Sequence, residues 1–315
     1  MQAYIIRRLV LAVPTFIGIT IFVFLALRMI PGDTVDQMAA GGAITAEGKA
    51  QIRQALGLDR PWYTQYASWM GGLLHANLGR SLVSGNSIAH DVGQRFPQSL
   101  ELDLLAIVVG LLIALPIGVI AALRQGTWLD YAGRSAAITA LSIPNFWLAT
   151  LLLIVPSFLW HVAPALQYQT LFQDPITNLS TLALPVLVLG IGLSGLTLRL
   201  CRTQMLEVLS EDYVRTAWAK GLSTRAVVLR HAMRNALLPI VTLIGLQIPF
   251  LLGGTVVVEQ IFNLPGLGSY LLLAVSQRDY PAIQAVDILI GAVVIVSNLV
   301  VDVLYGRLDP RLRSP

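Results

Sequence analysis

Long runs without a single charged residue constrain this chain more than any other feature of its sequence. Leu9 to Leu27, Leu104 to Leu123, Ser135 to Trp160, Leu182 to Leu198 and Ala236 to Val258 contain no Asp, Glu, Lys or Arg. A helix needs about 20 mostly apolar residues to cross the hydrocarbon core of a bilayer, so each run reads as a membrane span. A weaker sixth run, Ile283 to Tyr305, is interrupted only by Asp287 and Asp302. Charged residues make up 12% of the 315 positions, about half the share of an ordinary soluble domain. A mean hydropathy of +0.72 points the same way. A water-soluble enzyme, a disordered chain and a disulfide-stapled scaffold are all excluded, the last because Cys201 is the only cysteine. The first run is longer than a signal-peptide core and no A-x-A site follows it, so it reads as a retained span.

Six spans put both termini on one side, and the basic residues say which. Segments 1–8, 124–134, 199–234 and 307–315 hold 14 of the 21 Lys and Arg residues, whereas the short loop 161–180 holds none. Basic residues favour the cytoplasmic face, which predicts N-in and C-in. This sidedness accounts for the net charge of +4 without a nucleic-acid partner. The predicted fold is an all-α polytopic membrane protein with six transmembrane helices and an external segment between the first and second spans. Its parts are 1–30 (cytoplasmic N-terminus and first span), 31–99 (external) and 100–315 (a five-helix core with a cytoplasmic loop at 201–237).

The water-facing parts carry two features. In the external segment, Thr45 caps a short predicted helix from Ala46 to Leu56 that Gly57 stops, and Trp62, Tyr63, Tyr66 and Trp69 follow as an aromatic stripe. An aromatic belt at headgroup depth is the favoured reading, and a docking surface for an external partner is the alternative. In the cytoplasmic loop, Glu207 to Lys220 reads as helical and Gly221 breaks it. Ser223 caps a second helix from Thr224 to Asn235 with a basic face of Arg225, Arg230, His231 and Arg234. Such a helix–Gly–helix element lies on anionic lipid or docks into a soluble partner.

Missing chemistry narrows the function. The two lysines are Lys49 and Lys220, and neither sits in a phosphate-binding G-x-x-x-x-G-K-[ST] loop, so ATP hydrolysis would belong to another polypeptide. Gly192-Leu193-Ser194-Gly195 resembles the G-x-S-G of intramembrane proteases, but no histidine is predicted inside a span to serve as its base. Close helix packing is the simpler role for these small residues. Glu101, Asp103, Asp287 and Asp302 fall near predicted span ends, which leaves mid-span without the charge relay of an ion-coupled carrier. A hydrophilic solute would then cross on neutral groups. Ser142, Asn145, Gln247 and Asn298 are the candidates, with interhelical hydrogen bonds as their alternative role. No metal site is predicted.

The run Glu211-Asp212-Tyr213-Val214-Arg215-Thr216-Ala217-Trp218-Ala219-Lys220-Gly221-Leu222-Ser223, with Arg230 to Ala236 and Leu238-Pro239 beyond it, is distinctive. It resembles the cytoplasmic "EAA" loop of binding-protein-dependent ABC importer permeases, in the dipeptide/oligopeptide/nickel branch. Pro31-Gly32-Asp33, Leu56 to Pro61, Leu78-Gly79-Arg80-Ser81, Ser142 to Trp147, Glu259 to Gly268, Arg278 to Pro281, Asn298 to Asp302 and Leu308 to Arg311 extend the likeness along nearly the whole chain. Trp218 stands where that branch usually has arginine, Asp103 where a small apolar residue is common, and Thr34 in place of a proline.

The resemblance implies one of two permease subunits of a bacterial inner-membrane importer, the first of the heteromeric pair. Its partners would be a second homologous permease, two cytoplasmic ATPases, an external solute-binding protein and membrane lipid. The chain would bind no cofactor, since ATP and Mg belong to the ATPases, and would not itself be an enzyme. Tyr213, Ala217 and Lys220 would line the coupling helix, Gly221 would let the chain turn, Leu222 would make the apolar contact, and Ser223 would start the next helix. Short peptides are the leading cargo, with nickel chelates or glutathione as alternatives.

Overall fold

In the computed structural model, residues 2–30, 32, 35–36, 39, 45–55, 57–161 and 168–308 are described. Pro31, Asp33, Thr34, Leu56 and Asp309-Pro310-Arg311 lie outside the described residues. The described secondary structure is helical: α1 (Gln2–Met29), α2 (Ala46–Ala55), α3 (Trp62–Leu74), α4 (Ile88–Leu123), α5 (Trp128–Ser142), α6 (Asn145–Trp160), α7 (Pro175–Leu209), α8 (Asp212–Ala219), α9 (Thr224–Ala226), a π-helical turn (Val227–Ala232), α10 (Met233–Ile261), α11 (Leu267–Ser276) and α12 (Tyr280–Leu308). Five helical runs are long and apolar enough to cross a membrane, and the α5–α6 pair makes a sixth if counted as one span. The all-α polytopic architecture is therefore as expected.

Three helix boundaries differ from the sequence reading. The uninterrupted span expected from Ser135 to Trp160 is instead two helices bent by 96°. Pro144 is the cause: it has no N–H to donate, and its ring pushes Ile143 out of the helical region to φ −85°, ψ 117°. The helix expected from Glu207 to Lys220 also breaks, because α7 ends at Leu209 and α8 starts only at Asp212. Beyond Gly221, the expected short surface helix ending at Asn235 is continuous, through the π turn, with α10.

The chain forms two compact units. One comprises residues 2–99 and 265–296. In it, Val23 and Leu27 of α1, Ile88 and Val92 of α4, Tyr270 of α11 and Ile283 and Val286 of α12 share a buried core. The expected aromatic stripe divides. Tyr66 and Trp69 pack on Phe24 of α1 with centroids at 5.2 and 5.8 Å, while Trp62 and Tyr63 stay exposed. Asp279, almost fully buried, accepts from the Ser81 hydroxyl at 2.5 Å and from the Leu82 N–H at 3.2 Å.

The other unit comprises residues 100–264 and 297–308 of the described chain. Glycines set its helix spacing. A Cβ on Gly110 would lie 3.1 Å from the Gly190 carbonyl, and one on Gly118 would lie 2.9 Å from Cys201 Cβ. One on Gly195 would lie 2.9 Å from the Ala137 carbonyl, so α4, α5 and α7 approach almost backbone to backbone.

Candidate functional site

Two places in the second unit carry the expected site residues. The first is the loop and helix pair around Gly221. α8 packs inward through Val214 and Ala217, which join Val227, Val228 and Ala232 in one apolar cluster with Cys201, Met205 and Val208 of α7. Lys220 ends α8, and Gly221 adopts φ +76°, a left-handed conformation that a side chain resists. The N–H groups of Gly221 and Leu222 donate back to the carbonyls of Trp218 and Ala217 at 2.9 and 3.4 Å, closing the helix end. The Ser223 hydroxyl then accepts from the Ala226 N–H at 3.4 Å and starts α9. Across the turn, Asn235 Nδ2 donates to the Tyr213 hydroxyl at 2.6 Å.

The element also carries exposed apolar surface. Tyr213, Trp218 and Leu222 are 41%, 40% and 38% exposed. Arg225, Arg230 and Arg234 are exposed around them. Exposed large apolar side chains together with exposed basic ones are the surface pattern of a protein or a membrane contact.

The second place is a cavity of about 520 Å³. Its wall is the α5–α6 elbow (Ile143, Pro144 and Asn145) facing Gly192 and Leu196 of α7 and Leu246 and Gln247 of α10. Among the described residues no charged one lines it, and Asn145 and Gln247 supply its polar side chains. Gly192 makes room for the first of these: a Cβ there would lie 2.5 Å from Asn145 Oδ1. Non-helical backbone at membrane depth is tolerated where it lines a cavity or is buried in protein, and the elbow meets that condition.

Of the four neutral residues singled out in the sequence, Asn145 and Gln247 meet at this cavity. Ser142 is one turn away and donates to the Ile138 carbonyl of its own helix at 2.8 Å. Asn298 is exposed on α12 and does not line the cavity. The protease-like Ser194 is buried and donates to the Ile191 carbonyl at 2.7 Å, which is helix packing rather than a poised nucleophile.

Sequence reasoning missed two features. Asp130, at the start of α5, pairs with Arg202 of α7, the Arg202 Nε donating at 2.6 Å and Nη2 at 2.9 Å. These residues are 72 positions apart in the chain, so only the packing of α5 on α7 reveals them as partners. Asp103 is also more enclosed than its place at a predicted span edge suggested. It is 2% exposed, close enough to the fully buried Glu259 to interact electrostatically, and among the described residues neither of its oxygens has a hydrogen-bond partner. Two residues before Asp103, Glu101 accepts from the Tyr168 hydroxyl at 2.7 Å, and burial first, then that carboxylate, push the hydroxyl above the ordinary range.

A family signature described as "Binding-protein-dependent transport system inner membrane component" matches residues 114–314, and its N-terminal counterpart matches residues 1–103. The chain belongs to this family of inner-membrane transport components, and is a multi-pass membrane protein rather than an enzyme. It is 39% identical to the "Dipeptide transport system permease protein DppB" of Escherichia coli K12, over 99% of both chains. It is 40% identical to the "Di/tripeptide transport system permease protein DppB" of Pseudomonas aeruginosa UCBPP-PA14, again over 99% of each. The "Oligopeptide transport system permease protein AppB" of Bacillus subtilis 168 is 39% identical over the same share.

Proposed function

We propose that this chain is one of two permease subunits of an ATP-driven importer of short peptides. Full-length similarity to permeases named for dipeptide, di/tripeptide and oligopeptide transport carries this reading. The uncharged cavity supports it. Asn145 and Gln247 each offer an amide, which can donate to a peptide carbonyl and accept from a peptide N–H. Apolar walls beside them suit side chains of many kinds, as a cargo class of varied peptides requires. A second permease subunit would complete the pathway from the other side, with Ser142 and Asn298 at its margins.

The chain lies N-in and C-in, with 31–99 facing the external solute-binding protein that delivers cargo. The 201–237 loop faces two cytoplasmic ATPases, which hold ATP and Mg; this chain holds no cofactor. Tyr213, Trp218 and Leu222 seat in the ATPase surface, and Gly221 keeps the turn tight enough for them to do so. ATPase closure then rocks the helices between outward- and inward-facing states. Lipid, not nucleic acid, answers the basic loops.

Uptake by vesicles carrying the complete complex tests the assignment. ATP should drive accumulation of labelled dialanine in preference to a nickel chelate or glutathione. Accumulation driven by an ion gradient through this chain alone would contradict it.

A further inference from the structure

The cavity lies at the end of α5 and along the middle of α7 (Leu189 to Leu196), the Gly221 loop packs on α7 further on (Cys201 to Val208), and one part-buried ion pair ties the two helices together beside the loop. Asp130 is 2% exposed, and its carboxylate takes both Arg202 bonds side by side while also accepting from the Gly126 N–H at 3.0 Å. On α7, Arg202 is flanked by Cys201 and Met205, the residues on which Val214, Ala217, Val227 and Val228 of the loop pack. On α5, the helix that starts with this pair ends at the Ile143–Pro144–Asn145 elbow in the cavity wall.

Elsewhere the two helices touch through smooth surface. Gly195 meets Ala137 and Leu141, and Ala137 clusters with Leu198. Such a seam sets how closely the helices approach. A buried ion pair adds little net stability, because desolvating both charges offsets their attraction. A bidentate guanidinium–carboxylate pair does fix direction and register, since both bonds are lost together when either helix shifts.

We infer that Asp130 and Arg202 are positioning residues: their pair makes α5 follow α7, so that movement of the Gly221 loop reaches the Asn145 elbow. This rests on the transport reading above.

The test uses the complete complex with its ATPases in lipid vesicles. A fluorophore is attached at Phe146→Cys in a Cys201→Ala background, where Phe146 is exposed beside the elbow. ATP should change the fluorescence of this parent. In Asp130→Asn, the ATP-driven change should fall about tenfold, within the range of typical couplings between sites, while hydrolysis stays within about twofold of the parent. The reciprocal swap, Asp130→Arg with Arg202→Asp, should regain most of the signal.

An Asp130→Asn complex whose signal matches the parent overturns the inference. So does one in which signal and hydrolysis fall in proportion, since that is loss of structure. If Asp130→Asn does not assemble, the swap decides: assembly with a restored signal supports the clamp, and failure to assemble refutes it. A parent with no ATP-driven signal also refutes it. A parent that hydrolyses ATP and signals but carries no dialanine refutes the peptide-transport reading and leaves the clamp result standing.

Discussion

Asn235 donates to the hydroxyl of Tyr213 at 2.6 Å, bridging the left-handed turn at Gly221 and fastening α8 to the foot of α10. The helices on either side of the turn are tied both by the cluster that holds Val214 and Val228 and by this bond. Tyr213→Phe removes the bond and keeps the ring. A single hydrogen bond contributes about 1 kcal/mol, so the complex should fold normally while ATP-driven uptake falls a few-fold. Parallel measurements of uptake and thermal stability in detergent check this, the expected result being a larger change in the first.

Gly221 has open space around its missing Cβ, so a substitution there acts through the backbone alone. Holding a residue with a side chain in the left-handed region costs roughly 1–2 kcal/mol, most for β-branched ones. Gly221→Val should insert and fold but lose uptake and substrate-stimulated ATP hydrolysis. Gly221→Asn, which tolerates that region, should retain much of both. Equal loss in the two variants would mean that something other than turn geometry is at stake.

At the cavity, Gly192→Ala places a methyl where the Asn145 amide now lies. The amide is the far end of a side chain and can rotate away, so stability should change by less than about 1 kcal/mol. Dipeptide uptake should fall several-fold, through KM more than through maximal rate. Kinetics with a series of dipeptides would measure the split.

In the other compact unit, Ser81→Ala strips the nearly buried Asp279 of its hydroxyl donor and leaves the Leu82 N–H as its partner. An under-satisfied buried acceptor costs about 1–3 kcal/mol. The thermal midpoint should fall by several degrees, with hydrolysis by the assembled complex unchanged at lower temperature.

Much of this was legible in the chain because the bilayer reduces folding to a few rules. Charge-free runs located the helices, and Gly221 and Ser223 marked a helix stop and start that the structure places where expected. Pro144 is visible too, but hydropathy ignores the lost N–H, so the run Ser135 to Trp160 gives no sign of the elbow. The pairing of Asp130 with Arg202 and the closeness of Asp103 to Glu259 were hidden for a different reason. Both depend on which faces of α4, α5, α7 and α10 meet, and helical periodicity in an apolar run gives almost no signal about that. Among the neutral polar residues, composition could not separate Asn145 and Gln247, which share a cavity, from Ser142, bonded to its own helix.

On the function proposed above, an ATP-hydrolysing subunit drives the turn at Gly221. Electron cryo-microscopy of the purified complex, held with a non-hydrolysable ATP analogue, tests it most directly. Tyr213, Trp218 and Leu222 should be buried in a cleft of the ATPase, within van der Waals contact of its side chains. Finding all three still open to water, with the ATPase gripping some other part of the chain, would contradict the account.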